Sequence, residues 1–282
     1  MQDTLKQRYE DLLQAIRHYS RVIVAYSGGV DSSLVLKACL DALGKENVLA
    51  VIATSQLDER DISREASQQA EALGSKWRII SINELAHEGI CQYSADSWYH
   101  SKMLLYQTLE RIQHEESYDV IMDGMIMNDQ SDFRPGLLAR DHAGVVSLLQ
   151  EQNIYKEDVR QLLKMLQQDI WSKPASCSLL SRFSYGDTID ETKLQRIRRG
   201  EAYLRERGFE TNRVRVHGDL ARIEVSSTYV EDIIVSRQAI YEYFKEIGFT
   251  FVSVDLQGYQ SGKMNNTLTE AQKDKYQRGK KG

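Results

Sequence analysis

Short apolar runs alternate with longer segments of helical spacing through the first half of the chain. Leu5, Tyr9, Leu12, Leu13 and Ile16 recur at helical intervals and predict an amphipathic leading helix. Val22-Ile23-Val24-Ala25-Tyr26 reads as a buried strand, Leu34 to Ala38 as part of a helix, and Val48 to Ala53 as a second strand. Asp61 to Leu73, ended by Gly74, predicts a helix, followed by a strand over Trp77 to Ile82. The pattern continues with a helix over Ser97 to His114, a strand over Tyr118 to Met122, a fifth strand over Val145 to Leu149, and a helix over Lys156 to Leu166. Helices alternating with short apolar strands imply a parallel sheet with crossover connections, whose ligand sits at the carboxyl ends of the strands.

The rhythm changes near residue 188. Glu191 to Gly208 predicts a helix, Val214 to His217 and Ala221 to Val225 a hairpin around Gly218-Asp219, Tyr229 to Ile247 a helix, and Thr250 to Leu256 a last strand. The expected organisation is therefore α/β over 1–170, a linker loop over 171–187, and a smaller α+β domain over 188–282 for substrate binding or assembly. The basic segment from Lys273 to Gly282 reads as a solvated end.

Composition narrows the function. The chain has 282 residues and a formal charge of −5, with a pI near 5.8, which argues against nucleic acid or anionic membrane as a general partner. Met1 to Glu10 is polar and charged, so a cytoplasmic protein without membrane contact is expected. Cys39, Cys91 and Cys177 are three, widely spaced, and no disulfide framework follows from them.

Between the first strand and its helix stands Ser27-Gly28-Gly29-Val30-Asp31-Ser32-Ser33. Two glycines let the backbone turn tightly and bring N–H groups against phosphate oxygens, while the serines add hydroxyls and the helix start adds positive potential. Asp31 beside a polyanion makes sense as an orienting group or as a ligand for a divalent cation. The loop has no Walker lysine. It resembles the PP-loop of the ATP pyrophosphatases, which implies a Rossmann-like parallel-sheet domain that cleaves ATP to AMP and pyrophosphate while adenylylating a substrate. Asp123 and Gly124, after the strand that ends at Met122, fall at the same sheet edge and are expected with Ser27, Gly28, Gly29, Asp31 and Ser32 at the nucleotide.

The segment from Trp171 to Gly186 carries one thiol, Cys177, with Lys173 and Arg182 flanking it. Cations near a thiol favour thiolate, which singles out Cys177 as functional; Cys39, on an apolar helical position, and Cys91, without a cationic neighbour, read as structural. SGGVDSS, DGMIMNDQSDFRPG, YKEDVRQLL and KPASCSLLSRFSYG, followed by RVRVHGDLARIEV and DLQGYQSGKMN, resemble in order the LarE family of ATP-dependent sacrificial sulfur transferases. That family works in the synthesis of the nickel-pincer nucleotide cofactor. The resemblance covers nearly the whole chain.

It implies that ATP adenylylates a carboxylate of a pyridinium mononucleotide and that the Cys177 thiolate attacks the acyl group. Elimination then leaves sulfur on the product as thiocarboxylate and dehydroalanine in the chain. It also implies ATP and Mg2+ as cofactors, with Asp31 a metal ligand. Trp98, Ser181, Arg182, Glu201, Arg213 and Arg215 are the implied substrate residues. Asn128, Asp129, Asp132 and Arg134 match the family's nucleotide-side loop, without individual roles. Related chains carry cysteines where Trp98 and Ser101 stand, so two of three cluster thiolates are missing and no iron–sulfur cluster is expected. His100 reads as a polar surface or interface residue.

Arg213, Arg215 and His217 alternate with valines and share one strand face, which reads either as a solvated face or as a phosphate clamp. The implied partner is a small mononucleotide, and a homo-oligomer is the expected assembly. Two other readings stay open: a different PP-loop enzyme, amidotransferase-like or tRNA-thiolating, and a sensor that holds AMP or ATP without turnover.

Overall fold

The computed structural model describes residues 2–59, 62–131, 134–173, 177–260 and 262–270. The leading helix α1 (Gln2–Ile16) precedes β1 (Val22–Ala25), α2 (Val30–Leu43), β2 (Val48–Ser55), α3 (Ser63–Ala72) and β3 (Lys76–Ile82). Then come α4 (Glu88–Cys91), α5 (Ser97–Glu115), β4 (Val120–Met122), α6 (Pro135–His142), α7 (Leu148–Glu151) and α8 (Lys156–Met165). The four strands form a parallel sheet in the order β3-β2-β1-β4, with Val22 level with both Val48 and Val120. One face is covered by Leu12, Ile16, Leu34, Leu36 and Leu162 from α1, α2 and α8. Tyr106, Leu109 and Ala139 from α5 and α6 cover the other. Strands buried on both faces account for their nearly continuous apolar runs.

The fifth strand expected over Val145 to Leu149 does not form. Val146 makes a single parallel bridge to Met122, and the chain then leaves the ladder. Ser147 donates its hydroxyl to Asp123 at 2.6 Å, and Leu148, Leu149 and Gln150 are buried from a short helix instead.

The second unit contains α9 (Glu191–Glu206), β5 (Asn212–His217), β6 (Leu220–Val225), α10 (Val230–Val235), α11 (Arg237–Glu246) and β7 (Phe251–Val254). β5 and β6 form an antiparallel hairpin whose turn uses Gly218 at φ 58°, and β7 lies parallel to β6. The helix expected over Tyr229 to Ile247 is two helices. The chain turns at Ser236 (φ −88°, ψ 9°), with Ile233 buried before the turn and Ile240 and Phe244 after it. The core of this unit also takes Leu57, Ile90 and Tyr93, so the connection after β2 and the segment around α4 pack across onto it. Among the described residues, no helix is long and apolar enough to cross a membrane.

Candidate active site

At the carboxyl end of β1 the chain turns through Gly28, whose φ of 68° favours glycine, into α2. Packing demands glycine there as well, since a Cβ at 28 would lie 2.9 Å from Ala66 Cβ on α3. The loop is organised from within. Ser32 Oγ donates to the Gly29 carbonyl at 3.2 Å and lies 3.1 Å from Ser27 Oγ, while Ser27 Oγ accepts from Gly29 N–H at 3.3 Å. Gly29 supplies no side-chain cap, so no side chain of that residue competes with an anion for the first-turn amides of α2.

Gly124 follows β4 and touches this turn. A Cβ there would meet Ser32 N at 2.7 Å and Ser32 Cα at 3.0 Å, so only glycine lets the two loops approach. Asp123 is buried and both its oxygens are in use. Oδ2 accepts from Tyr106 Oη at 2.7 Å, and Oδ1 accepts from Ser147 Oγ at 2.6 Å and from Met125 N–H at 3.1 Å. Its carboxylate therefore fixes the loop after β4.

Asp31 accepts from Lys156 Nζ at 2.6 Å through Oδ2, while its buried Oδ1 has no hydrogen-bond partner among the described residues. Burial pushes the Asp31 carboxyl above its ordinary range, and neighbouring Asp129 adds to this against the pull of Lys156. Asp129 accepts from Ile126 N–H at 3.0 Å and pairs with Arg134 at 2.9 Å; Asn128 Oδ1 accepts from the first amide of α8, Lys156 N–H, at 2.9 Å. Asp132, matched to the same loop in the sequence, lies outside the described residues.

The Cys177 thiol is exposed. Cys177 Sγ is 3.7 Å from Ser181 Oγ, which accepts from Arg182 Nη1 at 2.7 Å. Arg182 is fully buried, and Glu201 receives Nε at 2.8 Å and Nη2 at 3.2 Å. Burial works against the Arg182 charge, but Glu201, Glu59 and the facing Cys177 outweigh it and raise its pKa. Trp98 donates Nε1–H to Tyr93 Oη at 3.2 Å, and Tyr93 stacks on Tyr185 at 4.8 Å. Burial pushes the Tyr93 phenol well up, with Tyr185 adding to the effect.

Lys173 does not serve Cys177 as the sequence suggested. Its ammonium donates to the Gly28 carbonyl at 2.8 Å and pairs with Glu65 at 2.8 Å, which ties the Cys177 loop to the phosphate loop. The face carrying Arg213 and Arg215 is not a solvated one. Arg215 donates to Glu224 at 2.7 and 3.0 Å and to the Ser181 carbonyl at 2.5 Å, and Arg213 lies 3.5 Å from Glu59. Carboxylates thus already offset the repulsion between the guanidiniums. His217 turns to Ser184 Oγ at 2.8 Å, and burial holds its imidazole below the ordinary range. His100 packs its ring against His87 in a tilted arrangement, with centroids 4.7 Å apart.

The structure thus gathers Ser27, Gly28, Gly29, Asp31, Ser32, Asp123 and Gly124 at one sheet edge. Cys177, Ser181, Arg182, Glu201 and Arg215 form one bonded network, which Arg213 joins through Glu59, while Trp98 bonds to Tyr93. Sequence reading missed Glu59, Glu224, Tyr93 and Lys156. Lys156 had a signal, its place in YKEDVR; Glu59 sits in a polar connection that offers none.

The family profile described as NAD synthase matches residues 3–118, the part that holds the phosphate loop. Over nearly the whole length the similarity is of another kind. The pyridinium-3,5-bisthiocarboxylic acid mononucleotide synthase of Lactiplantibacillus plantarum is 42% identical over 269 residues, covering 95% of this chain and 98% of that protein. The chain belongs to the LarE family. As a LarE-type protein it is a PP-loop enzyme of ATP-dependent sulfur transfer, and it binds ATP. An uncharacterised protein of Synechocystis sp. is 37% identical over 94% of this chain and 100% of its own length. The NH3-dependent NAD+ synthetase of Thermotoga neapolitana is 37% identical over only 27% of this chain. Similarity to NAD synthetases is thus partial, whereas similarity within the LarE family runs through the Cys177 loop and the second unit.

Proposed function

We propose that the chain adenylylates a carboxylate of a pyridinium mononucleotide and then gives it the sulfur of Cys177. The observation that carries this reading is the exposed thiol of Cys177 beside Ser181 and Arg182, on a loop whose Lys173 grips the phosphate-loop carbonyl of Gly28.

In this reading the amides at the start of α2, with Ser27 and Ser32, receive the phosphates of ATP, and Asp123 and Gly124 keep the facing loop in place. The buried, unpartnered Oδ1 of Asp31 is the atom that would face a divalent cation. Mg2+ bound there would neutralise phosphate charge as pyrophosphate leaves. Arg182, Arg213 and Arg215 form the anion-binding side for the mononucleotide phosphate, with Glu201 and Glu224 fixing the guanidinium planes. Trp98, with Tyr93, forms an aromatic wall of the substrate site.

The carboxylate attacks the α-phosphorus of ATP and pyrophosphate departs. The Cys177 thiolate then attacks the acyl carbon, AMP leaves, and a thioester links substrate to chain. Loss of the Cys177 Cα proton to a base and breakage of its Cβ–S bond release the thiocarboxylate and leave dehydroalanine. Because Trp98 and Ser101 stand where related chains have thiols, the sulfur comes from the side chain and not from an iron–sulfur cluster. We assign 1–170 to the nucleotide, 171–187 to the reactive loop, and 188–282 to the mononucleotide.

Intact-protein mass after one round with ATP, Mg2+ and pyridinium-3,5-biscarboxylic acid mononucleotide tests the reading. Loss of the mass of hydrogen sulfide at Cys177, together with AMP and pyrophosphate, is expected; ATP retained without cleavage would make the chain a sensor instead.

A further inference from the structure

Glu59 lies in the connection between β2 and α3, and two arginines share its carboxylate. Oε1 accepts from Arg182 Nη2 and lies 3.5 Å from Arg213 Nη2. Arg182 already has a permanent partner on its other edge. Glu201 takes Nε and Nη2 of Arg182 and also accepts from the Val214 amide of β5 at 3.0 Å. Glu201 cannot move without leaving both a buried guanidinium and a strand amide unsatisfied. Glu59 is bound differently: its side chain keeps 15% exposure and comes from a loop.

We infer that Glu59 is an internal competitor for the substrate phosphate, holding the guanidinium edge of Arg182 and Arg213 that the phosphate must take. This rests on the reading of those arginines as phosphate ligands. Two anions on one Arg182 Nη2 repel, and of the two carboxylates only Glu59 is free to swing outward. A phosphate brings three acceptor oxygens and satisfies both guanidiniums where Glu59 spans them with one oxygen.

The exchange carries information beyond the pocket. The same connection holds the reactive loop, for the Leu57 carbonyl accepts from Leu179 N–H at 2.7 Å and from Ser178 Oγ at 3.4 Å. It is also tied to α9, where Arg198 donates Nε–H to the Asp58 carbonyl at 3.2 Å. Arrival of the phosphate therefore shifts a segment bonded to the residues directly after Cys177.

Calorimetric titration of pyridinium-3,5-biscarboxylic acid mononucleotide, and of its nucleoside without phosphate, into wild type, Glu59→Gln and Arg213→Ala tests this. Glu59→Gln should bind the mononucleotide roughly tenfold tighter, a coupling of ordinary size, and the nucleoside unchanged. Glu59→Asp, which keeps the charge but shortens the reach, should also bind the mononucleotide more tightly and serves if Glu59→Gln does not fold. Arg213→Ala should weaken the mononucleotide alone. If Arg213→Ala weakens it while both Glu59 variants bind it no tighter than wild type, Glu59 merely positions the arginines and the competition is overturned. If Arg213→Ala has no effect, the phosphate reading fails and the competition fails with it.

Discussion

The Lys173 ammonium lies 2.8 Å from the Gly28 carbonyl oxygen, so the loop that carries the thiol is fastened to the loop that faces the phosphates. Arg160 on α8 reinforces the attachment, donating to the backbone carbonyls of Trp171 and Lys173, the latter at 3.1 Å. On the same helix Lys156 holds Asp31. One helix thus bonds to both loops.

Replacing Lys173 by Met should separate sulfur transfer from mononucleotide binding. A charge-assisted hydrogen bond of this kind is worth about 1.5–3 kcal/mol, or roughly ten- to a hundredfold in rate if it is needed in the transition state. Thiocarboxylate formation is expected to fall by that amount in single-turnover assays, with far less change in mononucleotide affinity. Equal losses of both would make Lys173 a fold residue.

The glycines of the loop are not equivalent, and their variants should rank accordingly. Gly28→Ala forces a side chain to φ 68° and against Ala66, and Gly124→Ala drives a Cβ into Ser32 backbone. A Cβ at Gly29 meets only Ser27 Oγ at 3.3 Å, a hydroxyl that can rotate away. Backbone strain of this kind costs about 1–3 kcal/mol. Pyrophosphate release should therefore drop strongly in Gly28→Ala and Gly124→Ala and less in Gly29→Ala; the reverse order would mean that the loop reshapes on binding ATP.

The phosphate loop was legible because its chemistry is local: turn, hydroxyls and helix start are consecutive residues. Cys177 was legible as a lone thiol in a polar stretch. What the sequence hid were long-range pairings. Lys173 looked like a partner of Cys177 by proximity along the chain, yet its long side chain reaches Gly28 and Glu65. Arg213 and Arg215 looked like an unpaired positive face because Glu59 and Glu224 come from other elements. The strand expected at Val145 failed because its apolar run was too short to tell a strand from a buried helix, and the Ser147–Asp123 bond decided it.

Glu224→Gln tests whether the Arg215 plane is set by its carboxylate. Glu224 and Arg215 are both buried, at 0% and 4% exposure. Removing one charge of a buried pair leaves the other uncompensated and costs about 3–5 kcal/mol. Urea denaturation should show a loss of that size, with an unchanged slope. Arg215→Met together with Glu224→Leu should recover much of the stability but not mononucleotide binding, which separates fold from phosphate recognition.

The three cysteines should differ sharply in reactivity. Cys39 is fully buried, with its thiol 3.7 Å from Met122 Sδ, and burial pushes its pKa up. Thiolate is the reactive form, so Cys39 should resist iodoacetamide in the folded protein while exposed Cys177 is alkylated, and half-buried Cys91 should fall between them. Alkylation of Cys177 should end sulfur transfer while pyrophosphate release continues, since the phosphate loop uses no atom of that side chain. Cys177→Ala should behave in the same way. Cys39→Ala and Cys91→Ala should transfer sulfur, with some loss of stability from the smaller buried side chain at 39. After one turnover the wild-type chain should no longer take up iodoacetamide at 177, and a thiol added in excess should instead add to the dehydroalanine there. If position 177 remains alkylatable after product has formed, the sulfur came from elsewhere.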